Sequence, residues 1–384
     1  MIVYIQEQGA KISKEGHRLI VTTKDAKQTL FIDNLEQLII FGNVQLTSPA
    51  LLYLLSKGID TVFLRYDGRY MGRLSNSESN NVFLRKKQFS LLNDKSFCLN
   101  IARTIVRAKL TNQATVMARI KRERDQPQAG DAAKELRELA SKTASMNDID
   151  AIRGLEGNGA AIYFKHFPLA LIEDWGFTKR VRRPPTDPVN AVLSLLYTLL
   201  TNRCYAAVRI AGLDPFPAAL HTLTNKRHSL PLDLVEEFRA MLADTMTIAL
   251  FNLHVLKRED FTSPPPENSS EEKSDDDTST IDAVLHEPIG SMTSEDDAPS
   301  PCDLPEDQPK AAPAEQTQEK TPVLLANDAS KRVLSIFAKK METSIYHPLA
   351  DCKMTYNEAM VFQARQYRRL VEGEIEEYTP LLLR

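Results

Sequence analysis

The sequence predicts an α+β protein: a small N-terminal β-rich domain, then a larger all-α domain interrupted by a disordered acidic insertion. Three observations predict it. Over residues 1–83, short runs of Val, Ile, Leu and Phe are separated by polar or glycine turns. From about Phe83 onward, apolar residues recur at helical spacing. Residues 263–322 break that pattern, being rich in Pro, Ser, Asp and Glu with almost no aromatics. Such a composition cannot bury enough surface to offset its ordering entropy. The expected organisation is therefore a β-domain over 1–83, a helical domain over 84–262 and 323–384, and a low-complexity insertion over 263–322.

In the first domain, Ile2–Ile5, Arg18–Thr22, Thr29–Ile32 and Gln37–Phe41 read as strands. Ser48–Ser56 reads as a helix, with Pro49 in the first turn where a missing N–H is tolerated. Thr61–Leu64 and Tyr70–Arg73 give two more strands around an Asp67–Gly68 turn. Nothing here has catalytic spacing. In the second domain, Lys86–Lys109 and Gln113–Arg124 carry basic residues between apolar ones, and Gln126–Asp131 is a break. Ala132–Ala144 and Asp148–Phe167 follow as helices, then Val189–Ile210 as the central core helix, with Asp187 as N-cap and Pro188 first in the helix. A helix over 231–255 precedes the insertion; Ser330–Lys340 and Tyr356–Glu372 follow it.

The totals exclude several classes. The chain has 384 residues, 42% hydrophobic and 26% charged, enough for a sizeable core. No run of 18 apolar residues and no secretory leader is evident, so a cytoplasmic protein without a membrane span is expected. The four scattered cysteines have no C-x-x-C pair and read as reduced thiols. The net charge of −3 hides an asymmetry: residues 263–322 hold sixteen acids against three lysines, a local −13, which leaves +10 for the remainder. A basic folded part favours a polyanionic partner.

Chemistry concentrates in three places. Arg153 to Ala161 sets Glu156 among three glycines, and helical glycine is costly enough that it suggests close approach by another helix or a ligand. Tyr163 lies on the same face as Glu156. Thr178–Asn190 packs Lys179, Arg180, Arg182 and Arg183 into a proline-stiffened turn ahead of Asn190, a pattern suited to phosphate contact or to a solvated basic loop. Gly212–Arg239 holds His221, a basic run including Asn225, Lys226 and Arg227, and then an amphipathic helix. On that helix Leu234, Val235 and Phe238 share the apolar face, with Asp233, Glu236 and Glu237 opposite. Carboxylates beside an imidazole can hold Mg²⁺ or Mn²⁺; alone, such acids read equally as a solvated helix face.

These stretches resemble the CRISPR-associated endonuclease/integrase family, the core protein of spacer acquisition. The resemblance rests on Ile152–Gly157 (IRGLEG), Arg182–Leu200 (RRPPTDPVNAVLSLLYTLL), the GLDP…LH stretch from Gly212 to His221, and Leu230–Arg239 (LPLDLVEEFR). QGAKISKEGHRLIV and IIFGNVQLT look like the family's β-domain. The similarity covers about 1–262 and 323–384. Two departures stand out: Ala218 and Ala219 occupy the place where the family commonly has a glycine, and 263–322 is an insertion between family helices.

The resemblance implies a dimerising β-domain and a catalytic helical domain, with Glu156, His221 and Glu236 as ligands to Mg²⁺ or Mn²⁺. It places Asp233 in the catalytic set as a neighbour of those ligands. It puts Arg182, Arg183, Asn190, Tyr163, Lys226 and Arg227 near double-stranded or branched DNA. It further implies a homodimer, a small ferredoxin-like CRISPR-associated partner protein, and antiviral defence by inserting protospacer DNA into a CRISPR array through transesterification. The alternative reading is a non-catalytic DNA-binding scaffold of the adaptation complex.

Overall fold

A computed structural model describes residues 2–24, 26–35, 37–65, 70–74, 81–181, 184–221, 227–262 and 322–383. These fall into two compact units, up to Asn80 and from Asn81 onward. The first contains β1 (Ile2–Ile5), β2 (Lys11–Glu15), β3 (Arg18–Thr22), β4 (Lys27–Phe31), β5 (Gln37–Phe41), β6 (Gln45–Leu46), α1 (Ser48–Ser56), β7 (Asp60–Leu64) and β8 (Tyr70–Leu74). One sheet runs β4-β3-β2-β6 and the other β1-β5-β7-β8. In the second sheet β5 pairs parallel with both β1 and β7, while β8 closes the edge antiparallel. Ile12, Leu19, Leu38, Ile40 and Leu54 meet in one buried core. β2 escapes sequence reading because KISKE offers only Ile12 to that core. The expected Asp67–Gly68 turn lies outside the described residues.

The second unit is mainly helical. It comprises α2 (Val82–Leu91), α3 (Lys95–Arg124), α4 (Pro127–Lys142), α5 (Ile149–His166), α6 (Pro188–Ile210), α7 (Ser229–Phe238) and α8 (Thr245–Asn252). After the insertion come α9 (Asn327–Met341) and α10 (Tyr356–Glu372). Two places differ from expectation. The helix expected from Lys86 is broken at Leu92–Asp94, because the Asp94 side chain accepts from the amides of Ser96 and Phe97 and starts α3 afresh. The break expected over Gln126–Asp131 shrinks to Asp125–Gln126: Asp125 closes α3 in a left-handed conformation and Pro127 opens α4. Two small β features were not expected: a β11–β12 hairpin (Ser344–His347, Cys352–Thr355), and β9 (Phe261–Thr262) paired with β10 (Leu324–Leu325) where the described chain resumes.

α6 begins as its sequence predicts, with Asp187 capping the Asn190 amide at 2.8 Å. By length and composition it could cross a membrane, yet 72% of its most apolar window is buried inside the unit, so it serves as a core helix. α3 packs against α4, α5 and α7. Gly159 explains how closely α5 approaches: a Cβ there would collide with the Leu110 side chain of α3. That contact brings the residue before Leu110 against the polar side of α5.

Candidate active site

Lys109 is the residue so placed. Its side chain is only 5% exposed, although it sits mid-helix on α3 among Ile105, Val106 and Leu110. Its ammonium bonds the Oε1 atom of Glu156 on α5, and it stands 2.8 Å from Oε2 of Glu236 on α7. Both carboxylates are essentially inaccessible to solvent. Arg239 adds a second cation, 2.8 Å from Oε1 of Glu236. Burial pushes the Glu236 carboxyl up, but Arg239, Lys109 and His221 outweigh it and hold the group down at about 2. Glu236 is therefore ionised, and His221 lies within electrostatic reach of it.

Asp233 does something different from its neighbours. It receives the backbone amides of Ala219 and Leu220 on Oδ2, and that of His221 on Oδ1, each at 3.0 Å. The same Oδ1 lies 2.7 Å from His221 Nδ1. One buried carboxylate thus folds the turn preceding α7 and orients the imidazole through its Nδ1 atom. The turn is also tied to α5, where Arg153 donates to the Leu220 carbonyl through Nε at 2.9 Å. At its start, Asp214 pairs with Arg85 of α2 at 2.7 Å.

The structure thus gathers Glu156, Glu236, Asp233 and His221 into one region of the helical unit. It does not close them around one point: among the described residues, no three His, Cys, Asp or Glu side chains lie close enough to hold a single ion. The Lys109 ammonium stands between the two glutamates instead. The donor set nonetheless suits a hard divalent cation: two buried carboxylates already converge on a positive charge, and Glu156 Oε2 is buried with no hydrogen-bond partner.

Other expectations are corrected. The alternative of a solvated face for the acids of α7 does not hold: Asp233, Glu236 and Glu237 are all buried, because each finds partners on a different element. Glu237 points to the C-terminal segment, accepting from Leu381 N at 2.6 Å, Tyr378 Oη at 2.5 Å and Gln363 Nε2 at 2.8 Å. Asn190 was expected to face DNA. It is wholly buried and clamps the basic turn, accepting from Val181 N and Arg180 Nη1 and donating to the Lys179 carbonyl. Tyr163 is likewise buried, its ring packed on Phe164 and Phe167 and its hydroxyl facing Asp244. Arg227 is partly buried just before α7. Arg182, Arg183 and Lys226 lie outside the described residues.

Sequence reading missed a second feature beside the site. After α7 the helix widens into a π-helical stretch, Arg239–Asp244, before α8. A π turn closes between residues five apart, so Arg239 and Asp244 come to one side of the helix. Both line a small cavity shared with Lys109, Gln113, Arg180 and Tyr197. The guanidinium groups of Arg180 and Arg239 lie over the Tyr197 ring, 5.3 and 4.9 Å from its centroid. Its hydroxyl donates to Asp244 Oδ1 at 2.6 Å.

Comparison with known proteins places these motifs in context. Residues 3–270 match the family described as CRISPR associated protein Cas1. A CRISPR-associated endonuclease Cas1 of Moorella thermoacetica is 30% identical, over 100% of this chain and 96% of its own length. Among solved structures, a chain of a Cas6-RT-Cas1–Cas2 complex superposes at a TM-score of 0.77 and 21% identity; 99% of this chain spans only 36% of that one. A casposase bound to its integration product superposes at 0.76 and 18% identity, over 98% of this chain and 92% of that one.

Proposed function

The chain belongs to the CRISPR-associated Cas1 family, and from that premise we propose that it is a metal-dependent DNA endonuclease and integrase that joins protospacer ends to a CRISPR array. The observation that carries this reading is the pair of buried glutamates, Glu156 and Glu236, drawn to one cation beside an imidazole that Asp233 orients. Glu156, Glu236 and His221 Nε2 would hold Mg²⁺ or Mn²⁺. When bound, such an ion withdraws charge from phosphoryl oxygens and steadies the leaving oxygen. The remaining work falls to the chain. Asp233 holds the His221 ring in one orientation. Arg239 and Arg180, stacked on Tyr197, offer fixed positive charge to a phosphate entering beside the glutamates. A 3′-hydroxyl as nucleophile gives strand transfer; water in the same place gives cutting.

The proposal extends to a homodimer through the N-terminal unit, to double-stranded and branched DNA, to a small ferredoxin-like partner protein, and to action in the cytoplasm. A second reading, a DNA-binding scaffold without catalysis, is favoured by one observation: Lys109 already neutralises the glutamates. Branched DNA incubated with protein and Mn²⁺, with and without chelator, separates the two. Glu156→Ala, His221→Ala or Glu236→Ala is expected to abolish cutting and joining, while circular dichroism and DNA retention in gel shifts stay close to wild type. Full strand transfer by any of the three would reject the assignment.

A further inference from the structure

We infer that Lys109 is a built-in counter-ion that holds the place of the divalent cation, and that an ion enters by driving its ammonium into the adjoining cavity toward Asp244. The inference rests on the metal-dependent reading above. Two carboxylates buried side by side call for a compensating charge. The Lys109 ammonium supplies it from a position where α3 is pressed against α5 by the missing Cβ of Gly159. An ammonium suits a temporary occupant. It is a compact charge on a flexible four-carbon stem, whereas a guanidinium would lock onto a carboxylate through two parallel bonds. Two of its three protons are directed at the glutamates.

The adjoining cavity offers a place for the displaced ammonium: Lys109 and Asp244 both line it, and Asp244 is held by the Tyr197 hydroxyl on the π-helical turn. That acid has no counterpart in the expected ligand set. It can receive an ammonium displaced by a metal ion. Lys109 is thus a positioning residue: in the metal-free protein it keeps Glu156 and Glu236 facing one another, and its departure is part of the free energy of metal binding. The apparent metal affinity falls in proportion to the fraction of molecules whose site is vacated.

The test uses the full chain. Mn²⁺ binding to wild type is measured by calorimetry, and the position of the Lys109 ammonium is read from crystals grown with and without saturating Mn²⁺. With metal bound, the ammonium is expected to leave the two glutamates and face Asp244. Lys109→Met is expected to tighten Mn²⁺ binding about tenfold or more, while lowering thermal stability without metal. The crystallographic arm needs no variant, so it stands whether or not Lys109→Met folds. If wild type takes up Mn²⁺ and the ammonium stays between the glutamates, the displacement idea fails and the metal reading survives. If wild type takes up no Mn²⁺ at all, the metal reading fails and this inference goes with it.

Discussion

Asp244 shows how much a single buried acid contributes. Burial raises its carboxyl from 3.8 to about 6, although Tyr197, Tyr163 and two guanidinium groups oppose the rise. The sign follows directly. A folded-state value above the unfolded one means the folded protein binds the proton more tightly, so this stabilisation is complete below about pH 4 and is lost as pH rises through 6. The difference corresponds to about 3 kcal/mol. Wild type minus Asp244→Asn, followed by urea unfolding from pH 4 to 7, is expected to show that slope; parallel curves would contradict it. Asp233 argues a second case. Asp233→Asn keeps the shape but replaces a carboxylate that gathers three amides and an imidazole. Loss of such an orienting partner typically weakens metal binding about 10–100-fold, and calorimetry with Mn²⁺ is the measure. The ligand candidates were legible as residues because each sits in a distinctive short motif. Lys109 was not, because a lysine among helical apolar residues reads as solvated. A signal was present: Lys109 falls in line with Ala102, Ile105, Val106 and Val116 on the stripe that α3 buries.

At the level of elements, α7 is where sequence and structure part most. Its amphipathic pattern is real, but its acids face protein, because Glu236 and Glu237 draw partners from more than a hundred residues away. Gln363, Tyr378 and Leu381 cover Glu237, and Asn112 donates to the carbonyls of Glu237 and Leu381 at 2.9 and 3.2 Å. No local periodicity encodes such contacts. Helices bounded by a cap or a proline were legible almost to the residue: α5 and α6 start where Asp148 and Asp187 accept from their first turns. The short strands β2, β6, β9 and β10 were not, because each buries too few side chains to leave a pattern. The C-terminal segment therefore works as a strap across the back of α7. Removing residues 378–384 strips Glu237 and Asn112 of buried partners, at about 1–3 kcal/mol for each group left unsatisfied. A clear fall in melting temperature is expected, with Mn²⁺ binding weakened because Glu236 sits on the same helix. An unchanged melting curve would remove the strap from this account.

For the whole chain, charge distribution matters more than its sum. The sequence balances −13 in residues 263–322 against +10 elsewhere. The described chain leaves at Thr262 and returns beside it, since Thr262 and Leu324 are cross-strand partners. Val323 N also bonds the Pro185 carbonyl at 2.8 Å, in the turn that carries the basic residues. The acidic stretch thus starts and ends beside the turn that follows Lys179 and Arg180. Because Thr262 and Leu324 already pair, a turn of a few residues can replace the intervening stretch without disturbing the helical unit. Thermal unfolding of that shortened chain is expected to match the full chain closely. Its affinity for duplex DNA is expected to rise at low salt, because tethered anions no longer compete for the basic surface. The gain should fade as ionic strength rises, since screening beyond about 8 Å at physiological salt weakens the tethered charge's field and the DNA attraction alike. Filter binding across a salt series decides the matter: an equal gain at every salt concentration would point to a steric obstruction by the segment instead of an electrostatic one.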